Sequence, residues 1–134
     1  MSVLVDTNVV LDVLLAREPF VQSSANVMRL CEAGEIRGIL SALSIPNLVY
    51  VMRKQLEPSD IERVIGVLDV TFEIADLEAK DLRCAATLGF DDYEDAIQSA
   101  TASRLGASCI VTRNVSDFEK SKVPAITPAR FLQL

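Results

Sequence analysis

Ser2-Val3-Leu4-Val5-Asp6-Thr7-Asn8-Val9-Val10-Leu11-Asp12-Val13-Leu14 begins with a short apolar run, turns polar at Asp6-Thr7-Asn8, and then repeats apolar residues at Val9, Val10, Val13 and Leu14. The apolar spacing changes from continuous to helical across one polar turn, so the chain starts strand, turn, helix. The same alternation runs on downstream. The spacing predicts a helix over Val21 to Ala33 stopped by Gly34, a strand from Arg37 to Ala42, and a helix through Lys54 with Pro46 in its first turn. Pro58-Ser59-Asp60 opens a further helix with Ser or Asp at its cap, Thr71 to Ile74 is strand-like, and Asp76 begins a helix ending near Gly89. Asp91 or Asp92 caps a helix through Leu105, which Gly106 ends; Ala107 to Thr112 reads as a buried strand, and Val123 to Ile126 as a short one before a helix at Pro128. Strands alternating with helices define an α/β chain, here a three-layer α/β/α sandwich with a central parallel sheet of four to five strands.

The length of 134 residues suits a single domain over residues 1–134 with one core. Apolar runs such as Val3-Leu4-Val5 and Ile110-Val111 stop far short of the ~20 residues that cross a bilayer. The start of the chain also lacks the basic segment and long apolar stretch of a signal peptide. A soluble, cytoplasmic protein without membrane contact is expected. Cys31, Cys84 and Cys109 are odd in number and set among apolar residues, so reduced core cysteines are expected.

There is no histidine. That removes the commonest general base, the Ser-His and Cys-His nucleophile systems and the commonest transition-metal ligand, leaving carboxylates, lysines or a hard metal to carry any catalysis. The net charge of −6 argues against a protein that wraps nucleic acid by charge alone. A carboxylate cluster built for Mg²⁺ or Mn²⁺ has the same acidic signature, and the bound cation reverses it locally.

In a parallel sheet, ligands bind beyond the carboxyl ends of the strands, near the point where strand order reverses. Asp6 ends the first strand, Thr112-Arg113-Asn114 and Asp117 follow the strand near residue 110, and Asp92, Glu94 and Asp95 open a helix. Taken singly, each has an ordinary structural reading: Asp6 as a helix cap, Asn114 and Asp117 as turn formers, and the Asp92 group as carboxylates favoured by the helix dipole. Their convergence on one sheet edge is the functional signal. Carboxylates gathered without a basic partner raise one another's pKa and imply a compensating cation, and hard oxygen ligands select Mg²⁺ or Mn²⁺. Such a cation supports phosphodiester hydrolysis without histidine.

Three motifs, in order, resemble those of the PIN-domain family: Val3-Leu4-Val5-Asp6-Thr7-Asn8-Val9-Val10-Leu11-Asp12, Asp92-Tyr93-Glu94-Asp95-Ala96-Ile97-Gln98, and Val111-Thr112-Arg113-Asn114 followed by Asp117-Phe118. Arg17-Glu18-Pro19-Phe20 and Thr127-Pro128-Ala129-Arg130-Phe131-Leu132 resemble its bacterial VapC-like toxin branch. The resemblance implies a Mg²⁺- or Mn²⁺-dependent endoribonuclease, a homodimer, and a small antitoxin protein as partner. It implies Asp6, Asp95 and Asp117 as metal ligands, Asp92 as a reserve ligand, and Thr7, Asn8 and Asn114 as residues that orient water or ligands. At the second motif the family usually carries a glutamate, whereas this chain has Asn47; Asp92 or Glu94 is then expected to make up the missing charge. Arg17 and Arg113, near the motif segments, are candidate phosphate contacts for the RNA substrate. The alternative is a catalytically degenerate module of the same fold that binds RNA or protein. An aspartyl phosphotransferase would need a second Asp where Asn8 stands, and a receiver-type domain would need acidic pairs and a late lysine that no suitable strand end offers.

Overall fold

The structure, a computed structural model, describes residues 1–134. Five strands, β1 (Ser2–Val5), β2 (Arg37–Ser41), β3 (Glu73–Ala75), β4 (Cys109–Val111) and β5 (Ala125–Ile126), form one sheet in the order β3-β2-β1-β4-β5, with every neighbouring pair parallel. Seven helices flank it: α1 (Thr7–Leu14), α2 (Val21–Glu32), α3 (Ser44–Val51), α4 (Pro58–Thr71), α5 (Ala79–Ala85), α6 (Tyr93–Arg104) and α7 (Pro128–Phe131). This is the expected three-layer arrangement, at the upper end of the expected strand number. No helix is long and apolar enough to cross a membrane.

The period of a strand explains the layers. Val3 and Val5 of β1, Leu40 of β2, and Cys109 and Val111 of β4 point to one face and pack with α1, α2, α4 and α7. Leu4, Ile39 and Ile110 point the other way, against Ala102 of α6, Phe118 and Val123. Strands covered on both faces lose the polar alternation of a half-exposed sheet, which is why these segments are continuously apolar in sequence.

Several local details depart from the sequence reading. The cap of α4 is Glu57, one residue before Pro58; Asp60 sits in the first turn and accepts from the Glu57 N–H at 2.9 Å. That helix runs on through Thr71, whose hydroxyl donates to the Val67 carbonyl at 2.8 Å, so β3 begins only at Glu73. Asp76 opens no helix: α5 starts at Ala79 behind Glu78, whose N–H donates to Asp81, and ends at Ala85 rather than near Gly89. Cys31 and Cys109 are buried free thiols as expected, but Cys84 is exposed. It lies on the short α5, which has one face on α6 and the other in solvent.

Gly38 shows how tightly β2 is covered. A methyl group there would overlap the Cys31 Sγ and lie 2.9 Å from Cys31 Cβ and 3.0 Å from Phe72 Cδ1. Gly38→Ala is therefore expected to cost about 1–3 kcal/mol through overpacking, read as a lower midpoint in urea. Cys31→Ala in the same chain should recover part of it. A single variant as stable as wild type would mean that β2 and α2 separate freely.

Candidate functional site

The sheet order reverses between β1 and β4, so the crevice of this fold lies beyond their carboxyl ends. Val5 and Val111 are register partners, which brings the residues just past them, Asp6 and Thr112, side by side. Asp6 is buried and held from three directions. Its Oδ1 accepts from the Thr7 N–H at 2.8 Å, and its Oδ2 accepts from the Thr112 hydroxyl at 2.8 Å and from Asn8 Nδ2 at 3.3 Å. Burial pushes its carboxyl pKa up, while the bonds from Thr112 and Thr7 pull the other way. The capping role and the position at the site thus belong to the same side chain.

Asn8 and Thr112 tie the two strand ends together. Asn8 Nδ2 donates to Thr112 Oγ1 at 3.3 Å, and Asn8 Oδ1 accepts from the Arg113 N–H at 3.3 Å. Thr112 Oγ1 also accepts from the Asn114 N–H at 3.1 Å, whereas the exposed Asn114 side chain bonds to nothing in the protein. On the other side the Thr7 hydroxyl lies 2.7 Å from Ser44 Oγ at the start of α3, and Gln98 Nε2 of α6 donates to that Ser44 oxygen at 3.1 Å.

Helix α6 delivers the acidic groups. Asp92 is its N-cap, with Oδ1 accepting from the Asp95 N–H at 3.0 Å. From Ala96 to Ala102 the helix is buried throughout, so the face shared by Asp92, Asp95, Ser99 and Ala102 is no solvated stripe; Ser99 Oγ pairs with Ser121 Oγ at 2.7 Å. Asp95 stands at the border of two hollows. Asp6, Thr7, Asn8, Asn47, Glu94 and Gln98 line one, and Asp91, Asp92, Asp117 and Lys120 line the other. Partial burial, reinforced by the charges of Asp6, Asp92, Asp117 and Glu94, pushes the Asp95 pKa up to about 7. Lys120 is turned aside, donating to the Gly89 carbonyl at 2.6 Å.

The expected ligands Asp6, Asp92, Asp95 and Asp117 are therefore brought to one region and feel one another's charge. As the side chains lie, however, no three acidic groups close on a single point at ligating distance. Asp92 and Asp117 line one of the hollows that Asp95 borders, and Asp6 lines the other. Asn47 reaches across from α3, its Nδ2 donating to Glu94 Oε2 at 3.1 Å.

The two arginines differ in their engagements. Arg113 Nε lies 2.7 Å from Oδ2 of the buried Asp12, and its guanidinium covers the Phe20 ring at 4.2 Å. The Arg17 side chain enters no ion pair. Sequence reasoning passed over Ser44 and Gln98 as site residues. Gln98 was within reach of it, since three residues after Asp95 on a helix is the same face. Ser44 carries no local signal, because its place depends on how α3 packs against α1.

The PIN domain family model matches residues 2–116, so the chain belongs to the PIN domain family. A comparison with curated proteins gave no match. Among solved structures it is similar to a toxin-antitoxin complex from Klebsiella pneumoniae, with a TM-score of 0.72 and 23% identity over 94% of this chain and 97% of that one. It is also similar to VapBC2 from Rickettsia felis bound to a promoter DNA fragment (0.70, 18%, 95% and 98%) and to FitAB bound to an IR36 DNA fragment (0.69, 15%, 94% and 94%). At these identities the likeness is one of fold.

Proposed function

We propose that the chain is a Mg²⁺- or Mn²⁺-dependent endoribonuclease that hydrolyses RNA phosphodiester bonds and acts as the toxin of a toxin-antitoxin pair. The observation that carries this reading is the gathering of Asp6, Asp92, Asp117 and Glu94 around the half-buried Asp95, which lines both hollows and whose pKa is pushed up to about 7. The donor set consists of hard oxygens, which suits Mg²⁺ or Mn²⁺. Asp6 and Asp95 would hold the ion, Asp117 would complete the set, and Asp92 stands in reserve. A divalent cation there supplies an activated water and polarises the scissile phosphate.

The protein's own contribution is rigidity. Three hydrogen bonds fix the Asp6 carboxylate before any ligand arrives, and Asn8 and Thr112 lock the ends of β1 and β4 in register. Thr7, Asn8 and Asn114 would orient water or substrate, and the free Asn114 side chain has the capacity to do so. Arg17, unlike Arg113, keeps its guanidinium available for a phosphate. An antitoxin that inserts a basic side chain among these carboxylates would block the site. A second copy of the chain belongs to the same reading, and Val67 and Val70 on α4 leave apolar surface exposed for it.

The test incubates purified protein with a mixed RNA pool, with Mg²⁺, with Mn²⁺ and with chelator, beside Asp6→Asn and Asp95→Asn. Cleavage that needs the metal and is reduced at least about a hundredfold in both variants is expected, since losing a residue that only supports a ligand already costs 10–100-fold. Intact RNA in every lane, with no metal uptake by calorimetry, would favour the degenerate binding module, to which Asn47 at the usual glutamate position points.

A further inference from the structure

Helix α3 approaches the hollow that holds Asp6 and Asp95, but presents an amide there, not a carboxylate. Asn47 carries no charge, and its Nδ2 is spent on Glu94 Oε2 at 3.1 Å. Glu94 comes from the first turn of α6, next to Asp95, and lines the same hollow as Asp6, Asn8 and Gln98. Asp92 is the other acidic residue available from that turn, but its Oδ1 is committed to the Asp95 N–H and it lines the opposite hollow.

A second observation is independent of the acidic groups. Gln98 is only 3% exposed and lines this hollow, and its Oε1 has no hydrogen-bond partner in the protein. An acceptor buried in this wall and left bare is costly, so it calls for a group that donates. A carboxylate cannot donate. A hydrated divalent cation can, because Mg²⁺ keeps several of its waters when protein carboxylates bind it.

We infer that Glu94 is the carboxylate that completes the cation site on the Asp6 side, that Asn47 is its positioning residue, and that Gln98 Oε1 accepts from water carried by the ion. The charge that α3 does not provide is thus delivered from α6, and Asn47 holds the longer glutamate side chain across the hollow. This rests on the metal-dependent reading above.

The experiment is calorimetric titration of the full chain with Mn²⁺ alone, without RNA, with the fold of each variant followed by circular dichroism. Glu94→Gln keeps an oxygen for Asn47 but removes the charge, and is expected to raise the Mn²⁺ Kd roughly tenfold or more, as measured changes around metal sites do. Glu119→Gln, which removes a charge from the rim of the other hollow, should change it less than about twofold. The swap Asn47→Glu with Glu94→Gln returns the charge to the same space from α3, and should bring the Kd back to within about threefold of wild type. Wild-type Mn²⁺ affinity in Glu94→Gln would overturn the assignment while leaving the nuclease reading intact. A loss that the swap fails to repair would overturn the claim that the two helices address one space. No Mn²⁺ uptake by the wild type would overturn the metal-dependent reading and this inference with it.

Discussion

Arg113→Ala is expected to lower the melting temperature by roughly 10–20 °C, from a loss of about 3–5 kcal/mol. Asp12 is completely buried on α1, and its carboxylate has few partners: Arg113 Nε at 2.7 Å, an ion-pair contact outside hydrogen-bonding geometry, and the Ser24 hydroxyl donating at 3.3 Å, both on Oδ2, with Oδ1 bonded to nothing. Removing the guanidinium strands a charge in a place where water cannot replace it, and that is the costly way to break an ion pair. The arginine also carries packing, since it covers the Phe20 ring. Asp12→Asn added to Arg113→Ala removes the stranded charge and keeps an acceptor for Ser24, so the double variant should regain most of the loss. Thermal melts of the wild type and the two variants decide it. A single variant within about 1 kcal/mol of wild type would show that the pair does not hold the end of β4 to α1 and α2.

The second large effect concerns Asp95, where stability and activity are expected to move in opposite directions. Its pKa is raised in the folded chain from the usual 3.8 to about 7, by partial burial first and by the charges of Asp6, Asp92, Asp117 and Glu94 after it. The folded state therefore binds this proton more tightly than the unfolded state does. The stability that the group contributes is fully present below pH about 4 and is lost as the pH rises through about 7. Without metal, the wild type should lose stability between pH 5 and pH 8. Asp95→Asn should flatten that slope and be more stable at pH 8 by about 1–2 kcal/mol, a figure reduced for solvent screening because the group is only half-buried. Added Mn²⁺ should stabilise the wild type at pH 8 and leave the variant nearly unmoved. Urea titrations at several pH values, with and without Mn²⁺, measure all three. Parallel slopes for wild type and variant would mean that the repulsion around Asp95 does not act on the fold.

The sequence made the α/β alternation legible because the decisive signals are local. The apolar run Ser2–Val5, the helical spacing after Asn8 and the Gly106 stop each report on a few neighbouring residues, and burial on both faces leaves strands such as Cys109–Val111 without polar interruptions. Element ends were less legible. Thr71 has the branched side chain of a strand residue, yet its hydroxyl satisfies the Val67 carbonyl and α4 keeps it. Glu57 is a less common cap than Ser or Asp, so the local pattern points to a cap at Ser59 or Asp60, after the true start of α4. Much of the candidate site was visible as well, because Asp6, Asp95, Asn114 and Asp117 all fall just beyond strands or at a helix start.

By itself the sequence determined that strands alternate with helices, that catalysis cannot use histidine, and that carboxylates collect at the ends of strands. Only the tertiary structure decided which of these groups meet. Thr112 reaches Asp6 across more than a hundred residues because β1 and β4 pair in one register, and a shift by one residue would send either side chain to the other face. Asn47 meets Glu94, and Arg113 is taken up by Asp12, because α3, α6 and the end of β4 are packed against the same sheet edge. Local spacing sets which face of its own element a residue occupies; the partner across the crevice is set by register and by the packing of layers, which are properties of contacts distant in the chain.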